Sequence, residues 1–465
     1  MNDAMPAVAP SLFRAYDIRG VVGDTLTRAS VDAIARAFAA EAAARGQYRV
    51  VIGRDGRLSG PELLAALREG LIAGGMHVID IGPVPTPVLY YATVALNTGT
   101  GIVLTGSHNP PEYNGLKLML GGDTLSGDAI QRLRERIESD SVASGNGSAE
   151  EIDDFTATYL TRVLGDIHLA RPLRIAIDCG NGITGAVAPR LYEGLGCEVH
   201  SLHAEVDGNF PNHHPDPSKP ENLADLIACV RENGLDIGLA FDGDGDRLGV
   251  VDGHGNVIWP DRQMILYARA VLAEQPGARI VYDVKCSSHL SQAIANAGGD
   301  GEMYKTGHSF IKGRMRERDA ALGGEMSGHI FFRDRWPGFD DGLYAGARLL
   351  ELLAADARSP QAVFAELPDS INTPEITIPF AEEGAHFAFM EKFAERARFD
   401  DARSILRIDG LRVDYADGWG LARPSNTTPV VVTRFEADTQ QALERIQNAF
   451  REQILAVQPD LELPF

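Results

Sequence analysis

The chain has 465 residues, of which 44% are hydrophobic and 23% are charged, a balance typical of globular proteins that bury several sizeable cores. Asp and Glu outnumber Lys and Arg by 65 to 43, and the resulting formal net charge of -22 argues against binding to nucleic acid or to an anionic membrane. No run of roughly 18 consecutive apolar residues, the length that spans a bilayer, occurs in the sequence, no signal peptide is visible, and the four cysteines form no C-x-x-C pair. We therefore expect a cytoplasmic protein of several domains, with neither nucleic acid nor a membrane among its partners.

The first third of the chain repeats a short apolar strand, a glycine-rich turn and an amphipathic helix. The segments that follow this rhythm are a strand at 48–53, a helix at 60–74, a strand at 77–82, an apolar segment at 87–96 and a strand at 101–104. Such alternation is typical of βαβ units. A small, polar segment rich in Gly and Ser at 140–151 then predicts the first domain boundary.

The same rhythm restarts twice. The second round comprises a strand at 174–178, a helix at 182–195, a strand at 198–202, a helix at 221–232 and a strand at 237–241. The third comprises a helix at 261–274, a strand at 279–283, a helix at 288–297, a strand at 301–305, a helix at 309–319, two short strands within 323–332 and a helix at 341–355. Three rounds in series favour repeated α/β domains.

The pattern changes after a predicted linker at 367–373. Two helices, at 385–399 and 439–457, are separated by several short strands, which is typical of an α+β domain of different construction. We accordingly predict four domains, with bounds at 1–150, 151–256, 257–367 and 368–465.

The first loop that carries chemistry is Thr105–Pro110 (TGSHNP), directly after the apolar strand at 101–104. A serine after glycine at a strand end can project its hydroxyl into the crevice where α/β sheets bind ligands. An ordinary turn or helix-cap serine is the alternative. The nucleophile elbow G-x-S-x-G is excluded, because Asn109 stands where its second glycine would be.

The second loop is Asp242–Arg247 (DGDGDR), after the strand at 237–241. Three carboxylates at alternate positions can converge on one hard cation such as Mg²⁺, and Arg247 adds a cation beside them. An EF-hand is excluded, since its sixth position would be Arg247 and its twelfth Gly253. A solvated acidic turn stays open as the alternative.

Two further loops suit a phosphorylated sugar. In Gly324–His329 (GEMSGH), Glu and Ser side chains can hydrogen-bond vicinal hydroxyls, although an ordinary hairpin loop is the alternative. In Arg423–Pro429 (RPSNTTP), an Arg followed by hydroxyl and amide groups is good phosphate-binding chemistry, and a polar turn is the alternative.

Some isolated residues carry weaker signals. Arg19 and Lys117 could each reach an anion, but a lone Arg or Lys is more often a solvated surface group. Lys285 and His308 each follow a predicted strand, where ligand contacts are common, but each is a weak signal by itself. The tract PNHHPDPSKP at 211–220 places two histidines side by side. Because adjacent side chains usually diverge, we predict an irregular loop there and no metal site.

The loops together resemble those of the α-D-phosphohexomutase superfamily. TGSHNP, DGDGDR, GEMSGH and RPSNTTP stand in that family's order, and RAYDIRG at 14–20 and NGLK at 114–117 match it as well. The resemblance covers essentially the whole chain. It implies a heart-shaped α/β protein with a central cleft, in which three related α/β domains with mixed sheets precede a C-terminal α+β domain similar to the TATA-binding-protein fold.

The resemblance also implies a reaction. Ser107 would be carried as phosphoserine, and Mg²⁺ would be bound by a phosphoserine oxygen with Asp242, Asp244 and Asp246. The phosphoryl group would pass to O6 of a hexose 1-phosphate, and the 1,6-bisphosphate would turn round in the cleft and return its other phosphate to Ser107. Glucose 1,6-bisphosphate would act as an activator.

The remaining residues divide by role in the implied site. Near the transferring group lie Arg247, Arg19 and His108 as cations, with Lys117 and His329 as candidates for moving the hydroxyl proton. The sugar's O3 and O4 would be held by Glu325 and Ser327. The non-reacting phosphate would be bound by Arg423, Ser425, Asn426 and Thr427, with Tyr16, Lys285 and His308 as further contacts. In chain order the domains would carry the phosphoserine, the metal, the sugar and the distal phosphate.

Within the superfamily, Gly106 before the serine and the GEMSGH loop look most like the bacterial phosphomannomutase/phosphoglucomutase family. The expected ligands are therefore mannose and glucose phosphates, bound by a monomer. A phosphoglucosamine mutase, a phosphatase and a non-catalytic phosphosugar- or cation-binding protein stay open as alternatives. Two phosphate-handling ends of the site favour a mutase over a phosphatase.

Overall fold

The computed structural model of the chain describes residues 8–382, 384–426 and 428–465. Within these segments four β-sheets follow one another along the chain, and helices pack on them. No helix in the described segments is long and apolar enough to cross a lipid bilayer. The predicted architecture of three α/β units and a final α+β unit is confirmed.

The first unit contains a mixed sheet of seven strands. The strands are β1 (Ile18–Val21), β2 (Arg49–Arg54), β3 (His77–Pro83), β4 (Gly101–Leu104), β5 (Tyr113–Leu120), β6 (Asp123–Thr124) and β7 (Ser148–Glu151). Their order is β1-β5-β4-β2-β3-β7, with β6 paired to β5. The helices are α1 (Arg28–Ala44), α2 (Gly60–Ala73), α3 (Thr86–Ala95) and α4 (Asp128–Glu138), after a 3₁₀ turn at Pro10–Leu12.

The second and third units each contain a four-stranded sheet. The second has α5 (Phe155–Leu164), β8 (Arg174–Asp178), α6 (Ala188–Gly194), β9 (Glu198–Leu202), α7 (Ala224–Asn233), β10 (Ile237–Phe241) and β11 (Leu248–Asp252). The third has α8 (Pro260–Glu274), β12 (Arg279–Asp283), α9 (Ser288–Asn296), β13 (Asp300–Tyr304), α10 (His308–Arg318), β14 (Leu322–Gly324), β15 (Ile330–Phe332), α11 (Gly342–Ala355) and α12 (Pro360–Phe364).

One topology recurs in the first three units. The strand sets β3-β2-β4-β5, β9-β8-β10-β11 and β13-β12-β14-β15 share the order 2-1-3-4, and in each the fourth strand is antiparallel to three parallel ones. Parallel strands covered on both faces are apolar throughout, as β10 (IGLAF) is. Because the third strand of each set is parallel to the first two, the loop that follows it leaves the sheet at the carboxyl ends of the parallel strands, where α/β proteins bind ligands.

The fourth unit has a different construction. Its strands are β16 (Ile371–Asn372), β17 (Ile376–Pro379), β18 (Ser404–Leu406), β19 (Leu411–Asp414), β20 (Gly418–Pro424) and β21 (Val430–Ala437), and its helices are α13 (Ala385–Arg396) and α14 (Gln440–Val457). The strands pair antiparallel in the order β16-β21-β20-β19-β18, with β17 also on β21. Both helices pack on this sheet around a separate apolar core.

Several element predictions need correction. The helix predicted at 182–195 is a 3₁₀ turn at Ile183–Ala186 followed by α6, because Pro189 lacks the N–H that an uninterrupted helix would use. The helix predicted at 221–232 likewise begins as a 3₁₀ turn, at Pro220–Leu223. Strands β1, β5, β6 and β11 were not predicted.

The predicted linker at 140–151 is only partly irregular. Its last four residues form β7, which pairs in parallel with β3 at the edge of the first sheet. The predicted linker at 367–373 similarly contains the short strand β16. Both segments lack apolar periodicity. A strand at the edge of a sheet can carry polar side chains on both of its faces, so its sequence need not alternate between apolar and polar residues.

The third and fourth units meet around Trp419, which lies on β20 and is fully buried. It forms a small apolar cluster with Val284 and Leu421. The guanidinium of Arg412 lies 3.9 Å from the centre of the indole ring and donates hydrogen bonds of 2.7 Å to the carbonyl oxygens of Val284 and Cys286. This cluster attaches the last unit to the loop that follows β12.

Replacing this indole tests its structural role. We expect Trp419→Ala to lower the free energy of unfolding by about 3–5 kcal/mol, because the truncation leaves a cavity and removes the surface on which Arg412 packs. Chemical denaturation followed by circular dichroism measures the change. The exposed aromatic Tyr48 provides the control, and Tyr48→Ala should stay within about 0.5 kcal/mol of the parent. Equal stability of the two variants would contradict this assignment.

Candidate active site

Ser107 lies in the loop between β4 and β5. Its backbone φ is 48°, in the left-handed region that residues other than glycine seldom adopt, and its N–H donates to Oγ1 of Thr105 at 2.8 Å. The buried hydroxyl donates to Oδ2 of Asp242 at 2.9 Å and lies 3.1 Å from Nδ1 of His108. A hydroxyl aimed at a carboxylate from a strained backbone is typical of a functional site.

Arg57, which the sequence analysis did not single out, holds this loop in shape. Its guanidinium donates hydrogen bonds of 2.6–2.9 Å to four backbone carbonyl oxygens, those of Ser107, Asn109, Pro110 and Tyr113. It also lies 3.3 Å from the buried carboxylate of Asp55. A Cβ at Gly106 would stand 2.4 Å from this guanidinium, which explains the glycine before the serine. No motif surrounds Arg57, and only its position after a predicted strand could have drawn attention to it.

Asp242, Asp244 and Asp246 directly follow β10 and are fully buried. One carboxylate oxygen from each lies within 4.8 Å of the others. The intervening glycines let the loop approach the serine, since a Cβ at Gly243 would stand 2.4 Å from the carbonyl oxygen of Ser107. Burial and repulsion by Asp244 and Asp246 raise the pKa of Asp242 well above its ordinary value. Carboxylates this crowded require compensating positive charge.

The acidic loop fits a hard divalent cation. Atoms Oδ1 of Asp244 and Oδ1 of Asp246 are buried and have no hydrogen-bond partner within residues 8–382, 384–426 and 428–465. Carboxylate oxygens, with no sulfur ligand beside them, are the donors that Mg²⁺ and Ca²⁺ prefer. These three carboxylates therefore form a candidate metal site.

Lys117, on β5, supplies one buried cation to this loop. Its Nζ donates to Oδ2 of Asp244 at 2.7 Å and also to Oδ2 of Asp246. Burial alone would lower the pKa of Lys117, but attraction to the two carboxylates raises it, so the ammonium form is favoured. Thr86, at the start of α3, donates a further hydrogen bond to Asp244. The charge of Lys117 thus offsets part of the acidic cluster.

Arg247 and His329 join the second unit to the third. Their backbones pair as an isolated bridge, and Nε of Arg247 donates to Nε2 of His329 at 3.0 Å. Because Nε2 accepts this bond, the proton of the neutral ring is on Nδ1. Nδ1 lies 3.1 Å from Oδ2 of Asp340 and 3.5 Å from Oδ1 of Asp246. His329 is therefore placed between a cation and two carboxylates.

Asp340 gathers three basic side chains, although the sequence analysis did not identify it. Its Oδ2 lies 3.2 Å from Nδ1 of His308, and its Oδ1 accepts a hydrogen bond of 2.7 Å from Lys312. The rings of His308 and His329 stack with centroids 5.3 Å apart. Burial, together with the charge of Lys312, lowers the pKa of His308 to about 4. His308 is consequently a neutral imidazole near pH 7.

Arg19, on β1, borders the serine loop from the other side. Its guanidinium donates to the side chains of Asn109 and Asp17. His108, next to Ser107, has its pKa lowered well below the ordinary value by burial and by Arg247 and Arg19. His108 therefore faces the serine hydroxyl as a neutral ring, and the positive charge comes from the arginines.

Glu325 and Ser327 lie in the loop between β14 and β15. Oε1 of Glu325 accepts a hydrogen bond from the N–H of Gly307, and Oγ of Ser327 lies 3.5 Å from Oε2. Burial raises the pKa of Glu325.

Tyr16 of the first unit packs edge-on against His308, with ring centroids 5.6 Å apart, and a Cβ at Gly307 would stand 3.0 Å from the ring of Tyr16. The loop of Glu325 is thus adjacent to the first unit.

Arg423, at the end of β20, marks the opposite end of the site. Its Nε donates to Oδ2 of Asp409 at 2.8 Å, while its buried Nη2 has no hydrogen-bond partner in the described part of the chain. The hydroxyl of Tyr16 lies near this guanidinium. Burial raises the pKa of Tyr16, although the positive charge of Arg423 acts in the opposite direction. A buried guanidinium nitrogen without a partner suits an anionic ligand.

The other predicted phosphate contacts lie near Arg423. Lys285 follows β12, and its Nζ donates to Oε1 of Glu375 at 2.6 Å. Burial alone would raise the pKa of Glu375, but Lys285 lowers it to about 2. Ser425 and Asn426 follow β20, and the carbonyl oxygen of Ser425 is hydrogen-bonded by the ring of His386 at 3.0 Å. Thr427 lies outside the described residues.

The predicted residues thus form two groups. One surrounds Ser107 and contains His108, Lys117, Arg19, Arg247, His329 and the three aspartates. The other surrounds Arg423 and contains Tyr16, Lys285, Ser425 and Asn426. His308, Glu325 and Ser327 lie between them. The sequence analysis missed the residues that orient these groups, which are Asp55, Arg57, Thr86, Lys312 and Asp340.

Removing the buried guanidinium tests its role under the serine loop. We expect Arg57→Ala to lower the free energy of unfolding by about 3–5 kcal/mol, because four carbonyl oxygens and the Asp55 carboxylate lose their partner. Arg54→Ala is the matched control, since Arg54 is only partly buried and donates to a single carbonyl oxygen. Urea denaturation compares the two variants, and a loss no larger for Arg57→Ala than for Arg54→Ala would refute the assignment.

Comparison with known protein families gives four matches in chain order. They are domain I of phosphoglucomutase/phosphomannomutase at 10–143, domain II at 155–255, domain III at 259–371 and the C-terminal domain at 375–453. The first three are described as alpha/beta/alpha domains. The matches therefore span most of the chain.

Individual relatives are similar over nearly their full length. A phosphomannomutase/phosphoglucomutase of Pseudomonas aeruginosa is 54% identical over 460 residues, covering 99% of each chain. A phosphoglucomutase of Neisseria gonorrhoeae is 54% identical over 449 residues, covering 96% of this chain and 97% of the relative. A crystal structure of a phosphoglucomutase/phosphomannomutase family protein from Burkholderia thailandensis has a TM-score of 0.94 and 51% identity, covering 99% of this chain and all of that one. The chain belongs to the phosphoglucomutase/phosphomannomutase family.

Proposed function

We propose that Ser107 carries the phosphoryl group in the reaction of this phosphohexomutase, the reversible transfer of phosphate between C1 and C6 of mannose and glucose phosphates. The observation that supports the role most directly is the 2.9 Å hydrogen bond from the Ser107 hydroxyl to Asp242, within a buried acidic cluster. Transfer through the enzyme divides the overall reaction into two steps that share one 1,6-bisphosphate.

Charge neutralisation is the first requirement at this serine, because phosphorylation adds nearly two negative charges. Mg²⁺, held by Asp242, Asp244, Asp246 and an oxygen of phosphorylated Ser107, would supply positive charge to the transferring group when bound. We propose that Arg247 and Arg19 add fixed guanidinium charge on either side. Lys117 already offsets one of the two negative charges of Asp244 and Asp246 through its contacts with both.

Proton transfer is the second requirement, since the accepting sugar hydroxyl must lose a proton. His329 and Lys117 are the candidates, and both lie against the acidic loop. His329 has its Nε2 bound by Arg247 and its Nδ1 beside Asp340, so the ring can take up a proton only when Arg247 releases Nε2, after which Asp340 stabilises the charged ring. Lys117 in its ammonium form is a donor, which suits returning a proton in the reverse step.

Sugar recognition would fall to Glu325 and Ser327, and recognition of the distal phosphate to the residues around Arg423. The Nη2 of Arg423 supports this assignment, since it is buried and has no hydrogen-bond partner among the described residues, while Nε of the same guanidinium is paired with Asp409. Tyr16, Lys285, His308, Ser425, Asn426 and Thr427 complete the proposed phosphate site.

The 1,6-bisphosphate must reverse its orientation between the two steps. We propose that the segment 367–373 lets the fourth unit release and recapture the distal phosphate, and that added glucose 1,6-bisphosphate re-phosphorylates molecules that lose the intermediate.

Since each of the four predicted domains contributes one loop from the same chain, we propose that a monomer is active. All four cysteines are free thiols, which supports a reducing, cytoplasmic location.

Removal of the phosphoryl carrier tests the proposed function. We expect Ser107→Ala to lower turnover of glucose 1-phosphate by several orders of magnitude, because no hydroxyl remains to accept the phosphoryl group. A coupled assay for glucose 6-phosphate measures the rate. Ser139→Ala, at an exposed serine, is the control and should retain parental turnover. Near-parental activity of folded Ser107→Ala would refute the proposal.

Loss of the distal guanidinium tests the phosphate site. We expect Arg423→Ala to raise KM roughly 10- to 100-fold, in line with the loss of a charge-assisted hydrogen bond worth about 1.5–3 kcal/mol. The variant should also depend more strongly on added glucose 1,6-bisphosphate, because it retains the intermediate less well. Arg403→Ala removes an exposed arginine of the same unit and should change neither quantity. An unchanged KM in Arg423→Ala would contradict the assignment.

A further inference from the structure

A second cluster of ligand-type side chains lies in the second unit, apart from the acidic loop. It consists of Asp178 at the end of β8, His203 just after β9 and His213 in the loop at 203–219. One ligand atom from each lies within 4.8 Å of the others. In the sequence His213 is next to His214, but the fold instead places its ring against that of His203, with ring centroids 5.1 Å apart.

The hydrogen bonds of His213 determine which of its nitrogens is available. Nδ1 lies 3.0 Å from the carbonyl oxygen of His214, and because a carbonyl can only accept, Nδ1 carries a proton. Nε2 then faces Oδ2 of Asp178 at 2.9 Å. A nitrogen and a carboxylate oxygen this close either share a second ring proton or ligate one cation that lies to the side of both. Metal-ligating histidines characteristically donate their other N–H to a backbone carbonyl in this way.

His203 is held in a corresponding manner. Its Nε2 lies 3.0 Å from Oδ2 of Asp225, and one of its ring nitrogens lies within 4.8 Å of ligand atoms of Asp178 and His213. A carboxylate that orients a histidine is the usual outer partner in imidazole metal sites. Two imidazoles, each held by one nitrogen, therefore converge on one carboxylate.

Asp178 provides the negative charge of the cluster. Its side chain is 1% exposed, and within the described residues its carboxylate has one ion-pair partner, His213. Its Oδ1 accepts a hydrogen bond of 2.9 Å from the N–H of Gly180, which leaves Oδ2 directed at the imidazole. A buried carboxylate without a lysine or arginine partner is costly unless another cation compensates it.

We propose that Asp178, His203 and His213 form a second metal site, for a transition-metal ion of the Zn²⁺ type. Two imidazole nitrogens and one carboxylate oxygen suit Zn²⁺ or Co²⁺ and do not suit Mg²⁺, which prefers oxygen donors alone. The ion ties the loop at 203–216 to the end of β8. Asp216 at the end of this loop lies 3.9 Å from Arg247, so the site supports the position of a catalytic-loop arginine from outside the cleft.

Co²⁺ binding to the full-length chain tests the proposal. The parent for this experiment is Asp242→Asn/Asp246→Asn, which removes ligands both from the acidic loop and from the neighbouring group of Asp246, His329 and Asp340. Co²⁺ is the probe because tetrahedral coordination gives it intense visible absorption, whereas octahedral coordination by oxygen atoms does not. Equilibrium dialysis should show one Co²⁺ per chain with that absorption. Adding His203→Ala or His213→Ala should weaken binding at least tenfold, whereas His200→Ala, a half-buried histidine on β9, should leave it unchanged.

Circular dichroism checks that each variant is folded. If His213→Ala does not fold, His203→Ala is the variant that tests the site. Absence of stoichiometric Co²⁺ binding in the parent would overturn the proposal and identify the cluster as an imidazolium–carboxylate ion pair. Binding in folded His203→Ala equal to that of the parent would overturn it as well.

Discussion

The crowding of three buried carboxylates, those of Asp242, Asp244 and Asp246, is the constraint on which the rest of the site depends. Because these side chains are not accessible to solvent, their charges must be balanced by nearby positive charge. Lys117 reaches two of them, the backbone N–H of Arg247 donates to the third, and the carboxylate oxygens left without partners fit a divalent cation. Placing Ser107 beside this cluster puts its hydroxyl where an added phosphate would share the divalent cation that these carboxylates fit.

The repeated topology explains how four distant loops reach one cleft. In each of the first three units the functional loop joins the third and fourth strands, so it leaves the carboxyl edge of its sheet. Contact between the loops depends on small residues, as at Gly243 against Ser107 and Gly342 against the carbonyl oxygen of Arg247. The fourth unit has an apolar core of its own and is attached to the third unit by the Trp419 cluster. It therefore contributes its Arg423 loop to the site although its core is separate from those of the first three units.

The loops could be predicted from the sequence because their residue types are unusual in combination. Asp242, Asp244 and Asp246 alternate with glycine, and Ser107 follows an apolar strand, so neither pattern needs long-range information. Most central strands and helices could be predicted for the same reason, since apolar periodicity is local. The family resemblance supplied the roles of residues such as Tyr16 and Arg423.

The orienting residues could not be predicted, because their meaning depends on contacts across units. Arg57 donates hydrogen bonds to carbonyl oxygens about fifty residues further along the chain. Asp340 contacts His308, at the start of α10, and His329, in the loop before β15. Strand β5, which carries Lys117, pairs antiparallel with β1 and β4, and its pattern gave no local signal. His213 was set aside for a similar reason, since its partner His203 is ten residues distant and the loop between them is irregular.

The central claim, that Ser107 carries the transferred phosphoryl group, is tested most directly by following a labelled phosphate. The protein is incubated with ³²P-labelled glucose 1,6-bisphosphate, the labelled peptide is mapped, and unlabelled glucose 1-phosphate is then added with Mg²⁺. We expect one labelled phosphate per chain on Ser107, followed by transfer of that label to the sugar. Label on a different residue, or label on Ser107 that never passes to the sugar, would contradict it.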